Sequence, residues 1–196
     1  MAIKQRPRIH PKTLEKVAYH EAGHVVVGFT LRIGELVWVR ITPDNAAGNH
    51  GCVYWRYLEG KSHVQWFYNI VHDFAGVEAV RLLRGRVTAQ DYETSFGTDL
   101  KNAHRTIATL GNDNLAFKIH QRPDKIARLI LQQSRTALDA IAKALMKKHE
   151  LSGAEAYYIW TAATMKRPRT KQRIMRLTRP GPEPPPSRKR RVAYPV

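Results

Sequence analysis

The chain has 196 residues, 43% of them apolar, with a formal net charge of +17 and a pI near 10.4. That length suits one main domain with an appendage and can bury a core without disulfides, which excludes wholesale disorder and implies an acidic counterpart such as nucleic acid, an anionic membrane face or an acidic protein. Cys52 is the single cysteine, which excludes an intramolecular disulfide and a cysteine-based zinc cluster and fits a reducing, cytoplasmic setting.

Residues 1–12 form a basic arm that Pro7 and Pro11 keep out of a helix. No apolar core of signal-peptide length follows it. The longest apolar run, Val25 to Leu31, stops at Arg32, well short of the roughly 18 residues a membrane span needs, so the chain reads as soluble with no transmembrane segment. Thr13 is the expected N-cap of a first helix running to about Leu31, with Gly34 as its stop. Leu14, Val17, Ala18, Ala22, Val25, Val26 and Phe29 spread round more than one side, which predicts a buried helix.

Glu35 to Thr42, rich in β-branched and aromatic residues, predicts a strand, and Cys52 to Tyr57 a second one beyond a loop holding Gly48 and Gly51. Apolar residues then recur at three- and four-residue steps from Ser62 to about Leu83, predicting one helix capped by Ser62 and stopped by Gly85. A polar loop from Thr88 to Gly97 precedes a helix from about Thr98 to Leu110, and Gly111 to Asn114 reads as a turn. One long helix is expected from about Pro123 to Lys148. Ser152-Gly-Ala-Glu155 spells a capping box that opens a last short helix to about Met165. The fold class is therefore mainly α with a small β-sheet (α+β). Residues 166–196 are basic, proline-rich and nearly devoid of core residues, which predicts a disordered tail. No internal repeat is present.

Within the first helix stands Val17-Ala-Tyr-His-Glu-Ala-Gly-His-Val-Val-Val-Gly28. On a helix, residues four apart share a face, so His20 and His24 can aim two imidazole nitrogens at one point, as a tetrahedral zinc ion requires of two ligands. Glu21 is turned about 100° from His20, poorly placed to ligate alongside it but well placed to take a proton from a zinc-activated water and return it to a leaving amine. Half-buried, merely hydrogen-bonded histidines beside a surface glutamate are the competing reading of the same letters. Ala22 and Gly23 make sense if another element packs closely against them. A metzincin pattern is excluded, because the positions for its glycine and third histidine hold Val27 and Thr30. His72, Asp73, Glu78 and Asp99 are the candidates for a third ligand, and spacing alone does not choose among them.

The same segment resembles the zinc motif of the FtsH-type ATP-dependent metalloprotease family. Val39-Arg-Ile-Thr-Pro43 with Gly51-Cys-Val-Tyr54 resembles its strand pair, and Phe74-Ala-Gly-Val-Glu-Ala79 its small-residue helix. Gly97-Thr-Asp-Leu100 with Ala103 resembles the segment that supplies its third zinc ligand, and Arg128 to Lys148 with Leu151-Ser-Gly-Ala-Glu155 its C-terminal helices. The resemblance covers roughly residues 13–165. It implies a zincin-like helical peptidase domain, with His20, His24 and Asp99 binding Zn2+ and Glu21 as catalytic base. A variant of this reading, a minizincin, takes Glu78 as the third ligand.

Departures accompany the likeness. Members usually carry a membrane anchor and an AAA ATPase module, and this sequence shows neither; Gly60-Lys61-Ser62 is no Walker A loop, because the glycine required five residues earlier is Trp55. Val80 and Arg81 replace the usual acidic pair of the small-residue helix. The expected activity is therefore a zinc metalloendopeptidase acting on unfolded or flexible protein and peptide substrates, alone or with an ATPase unfoldase in trans; an oligomer is compatible with it. The alternative is a non-catalytic regulatory or nucleic-acid-associated module built on a peptidase fold. In that case the tail's lysines and arginines displace counterions from phosphates. Arg188 to Arg191 could equally meet an anionic membrane surface, though neither a lipidation motif nor an amphipathic helix is evident beside them.

Overall fold

The computed structural model describes residues 10–42, 51–57, 62–88, 97–109 and 122–165. The basic arm up to residue 9, the loop around Gly48, Gly60-Lys61, most of the Thr88–Gly97 loop, the turn at Gly111 and the tail from residue 166 lie outside them. Helix α1 (Pro11–Leu31) is the axis of the fold. Strands β1 (Gly34–Ile41) and β2 (Gly51–Tyr57) follow it, then helices α2 (His63–Asp73), α3 (Ala75–Arg84), α4 (Gly97–Thr109), α5 (Pro123–Gln133) and α6 (Arg135–Lys148). Strand β3 (Glu150–Ser152) and helix α7 (Gly153–Thr164) complete the described chain. The architecture is mostly helical with a small sheet, as the sequence pattern predicts; the sheet is antiparallel and three-stranded, in the order β2-β1-β3.

The ends of α1 differ from expectation. Pro11 occupies the first turn, where a missing N–H costs nothing, and His10 rather than Thr13 caps it by accepting from the Lys12 N–H. Arg32, in the left-handed region with φ 56°, ends the helix ahead of Gly34. Gly34 instead begins β1, where a Cβ would collide with the Arg56 carbonyl across the ladder. In β1 the register slips between Leu36 and Trp38, a bulge in an otherwise regular pairing from Gly34–Tyr57 to Ile41–Gly51.

Two helices that read as continuous are each broken. The Ser62–Leu83 span divides at Phe74, and the Pro123–Lys148 span divides at Ser134. Neither Phe74 nor Ser134 is a proline or glycine; apolar residues run through the first break, and the second falls in the polar stretch Gln132 to Thr136. The capping boxes at Ser62 with Gln65 and Ser152 with Glu155 are formed, and Gly85, at φ 77°, closes α3 with its N–H on the Arg81 carbonyl. Strand β3, three residues long, is too short to show an alternation and was not expected.

As its pattern predicts, α1 is surrounded. Ala18, Ala22, Val25, Val26 and Val27 are fully inaccessible, packed with Ile130 and Leu131 of α5, Leu138, Ile141 and Leu145 of α6, and Val39, Ile41 and Leu151 of the sheet. Helix α3 approaches α1 closely at Gly23. Glu78 of α3, 1% exposed, is held by Arg81 and by the Arg128 guanidinium of α5 at 2.6 Å. Among the described residues no helix is long and apolar enough to cross a membrane.

An alanine at position 23 would put its Cβ 2.7 Å from both the Ala75 carbonyl oxygen and the Ala79 Cβ. Overpacking of that kind costs about 1–3 kcal/mol, against about 0.5–1 kcal/mol gained in helix propensity. Gly23→Ala is expected to lower the urea unfolding midpoint; an unchanged or raised midpoint would contradict the close α1–α3 approach.

Candidate metal centre

The buried middle of α1 carries His20, Glu21 and His24, and the first turn of α4 brings Asp99 to them. His20 Nε2 lies 3.0 Å from Asp99 Oδ2, His24 Nε2 lies 3.3 Å from the same oxygen, and the two Nε2 atoms are 3.2 Å apart. Four ligands about 2.0 Å from a tetrahedral ion stand about 3.3 Å from one another, so this triangle has the dimensions of one face of such a shell. His20, His24 and Asp99 are thus a group able to hold a metal ion.

The tautomer of His24 supports the same use. Its Nδ1 is 3.0 Å from the His72 carbonyl oxygen, which only accepts, so Nδ1 carries the proton and donates it. In the neutral ring Nε2 is then a lone pair facing His20 and Asp99. Donation from the far ring nitrogen to a carbonyl is the usual way a ligating imidazole is oriented.

Close packing holds the rings in place. A Cβ at position 76 would overlap the His20 imidazole, so only glycine lets the start of α3 lie under that ring. Likewise a Cβ at position 51 would overlap the Glu21 carboxylate, and the start of β2 covers Glu21 through this gap. Gly51, Gly76 and the His72 carbonyl are parts of the site that spacing did not disclose. Their signal in the sequence was faint: small residues at Ala75-Gly76, and a glycine opening a strand.

The other candidate ligands stand elsewhere. Glu78 is engaged by Arg81 and Arg128, and its carboxylate faces α5. The His72 ring lies 4.7 Å from that of His24 between centroids and edge-on to Trp55, contributing its carbonyl rather than a ring nitrogen. Asp73 acts on His24 through its charge and is outside the triangle.

Electrostatics follow from burial. Burial raises the Glu21 carboxyl above its ordinary range, with the two histidines partly offsetting this and Asp99 reinforcing it. Burial also works against a charged His24, but the Asp99 carboxylate beside it prevails and holds that imidazole up at about 9. Desolvation disfavours the Asp99 anion too, yet His24 and His20 together keep it well below the usual carboxylate range. His72 is held far below an ordinary histidine by burial and by the neighbouring His24. No family model matches the chain, and no curated protein matches it. The site is therefore defined by its own geometry.

In the metal-free chain, NMR titration of His24 is expected to give a midpoint near 9, against 6.5 for an ordinary histidine. A folded value above the unfolded one means that the His24 group contributes its stability fully below pH 6.5 and loses it as the pH climbs through about 9, whereas the depressed Asp99 carboxyl loses its share only toward strong acid. Asp99→Asn removes the largest influence that raises His24 and leaves burial opposed only by the Glu21 and Asp73 charges, so the midpoint should fall. A midpoint unmoved by that substitution would contradict the pairing.

Proposed function

We propose that the chain is a zinc-dependent metalloendopeptidase with a zincin-like peptidase domain of the FtsH type, cutting unfolded or flexible proteins. The observation that carries this reading is the triangle of His20 Nε2, His24 Nε2 and Asp99 Oδ2, with a buried carboxylate directly after the first histidine. The donor set is two imidazoles and one carboxylate, a hydrolytic zinc set that leaves one position open. Bound there, zinc would polarise a peptide carbonyl and bring the pKa of a water down to roughly 7.

Glu21 takes the proton from the attacking water and passes it to the leaving amine nitrogen. A carboxylate held at that point can both accept the proton and give it back. His72, through its carbonyl, keeps the His24 ring turned toward the ion. Glu21 is only 6% exposed, which favours flexible or unfolded substrates over compactly folded ones. An ATPase unfoldase acting in trans, in the cytoplasm, would widen the substrate range to folded proteins.

The purified chain should contain close to one zinc by elemental analysis and cleave casein. Glu21→Gln is expected to keep the zinc and lower cleavage about 10²–10⁴-fold, the usual worth of a positioned acid–base group. Asp99→Ala should lose zinc, whereas Glu78→Gln should keep it. Equal cleavage by wild type and Glu21→Gln, or wild type without zinc, would contradict the proposal. Zinc kept in Asp99→Ala but lost in Glu78→Gln would move the third ligand to Glu78.

A further inference from the structure

Beyond its first turn, where the exposed Glu155 pairs with Lys148, helix α7 is apolar on both faces. Its inner face packs through Ala156 and Trp160 onto α6, β1, β3 and the end of α1, where Phe29 meets Tyr157 and Trp160 ring to ring. Its outer face carries Glu155 at the start and then Tyr158 at 75% exposure, the exposed Ala162 one turn on, and Met165 at 77% just beyond the helix end. Tyr157, at 53%, flanks this stripe. Large apolar groups gathered in this way mark interaction surfaces rather than scattered exposure.

The residues just beyond α7 narrow the choice of partner. From Lys166 to Arg179 seven of fourteen residues are Lys or Arg and none is acidic. An apolar stripe thus leads directly into a dense positive charge. We propose that the outer face of α7 docks on an anionic phospholipid bilayer, with Tyr158 and Met165 entering the headgroup–acyl boundary and the adjoining Lys/Arg run drawing the chain to the surface.

The two signals are complementary. A shallow apolar contact or a basic cluster alone gives weak, reversible attachment, and the pair together holds. Tyrosine suits that boundary because its ring is apolar and its hydroxyl stays in water. The helix has 12 residues, about 18 Å long, so it lies along the surface and does not span it. A nucleic acid would satisfy the cations equally well. It would offer no apolar phase to Met165, and of the aromatic rings here only Tyr158 lies open, since Tyr157, Trp160 and Phe29 pack on one another at 5.4–5.7 Å between centroids.

Co-sedimentation of the full chain with vesicles tests this. Vesicles of phosphatidylcholine with phosphatidylglycerol should bind it, and vesicles of phosphatidylcholine alone should bind about tenfold less or worse. Tyr158→Glu with Met165→Glu should weaken binding to the anionic vesicles about tenfold, with helix content by circular dichroism unchanged. Tyr158→Ala with Met165→Ala, which adds no charge, should weaken it in the same direction. Full binding by the alanine pair would overturn the proposal, as would equal binding to neutral vesicles. A single-stranded oligonucleotide that binds both variants as tightly as wild type and strips wild type from the vesicles would also overturn it, assigning the charge to nucleic acid instead.

Discussion

Everything in this fold answers to one difficulty: helix α1 is buried on all sides, yet its middle carries His20, Glu21 and His24. Three ionisable groups within five residues of a core helix would be expelled toward solvent unless something compensated their lost hydration. The compensation comes from outside the helix. Asp99 arrives from α4 at 3.0 and 3.3 Å from the two imidazoles, and the His72 carbonyl takes the remaining proton of His24. Without a cation, that triangle is held together by shared protons and an anion; with one, the same three atoms have a common target.

The rest of the packing serves that helix. Gly23 admits the backbone of α3, Gly76 lets that backbone lie beneath the His20 ring, and Gly51 lets β2 begin over Glu21. The break at Phe74 separates α2 from α3, so one side of the break presents a carbonyl to His24 and the other presents Gly76 to His20. Glu78, which could have competed for a metal, is occupied with Arg81 and Arg128 and ties α3 to α5 instead. A buried carboxylate paired in this way is costly to break, because removing one partner strands the other.

Much of this was legible in the sequence, for reasons that can be stated. His20 and His24 were readable because a helix turns a spacing of four into a shared face, and the burial of α1 because its apolar residues circle it. Local chemistry announced the caps at Ser62 and Ser152 and the stop at Gly85. Asp99 was not readable by spacing, since it lies 75 residues from His24 and meets it only through the fold; the likeness of Gly97-Thr-Asp-Leu100 to a known family pointed to it, and the geometry brings the same residue to the histidines. The break at Phe74 was invisible because the apolar period runs unbroken through it; at Ser134 the polar stretch Gln132 to Thr136 interrupts the apolar residues but holds no proline or glycine to mark a stop. The roles of Gly51 and Gly76 depend on what packs against them, which a linear pattern does not contain.

The account is tested most directly by X-ray absorption at the zinc edge on the zinc-loaded full chain. It predicts a four-coordinate shell of two imidazole nitrogens and two oxygens at about 2.0 Å, with no sulfur, and the loss of that shell in Asp99→Ala. A shell with fewer than two imidazoles, or one that survives the removal of Asp99 unchanged, would contradict it.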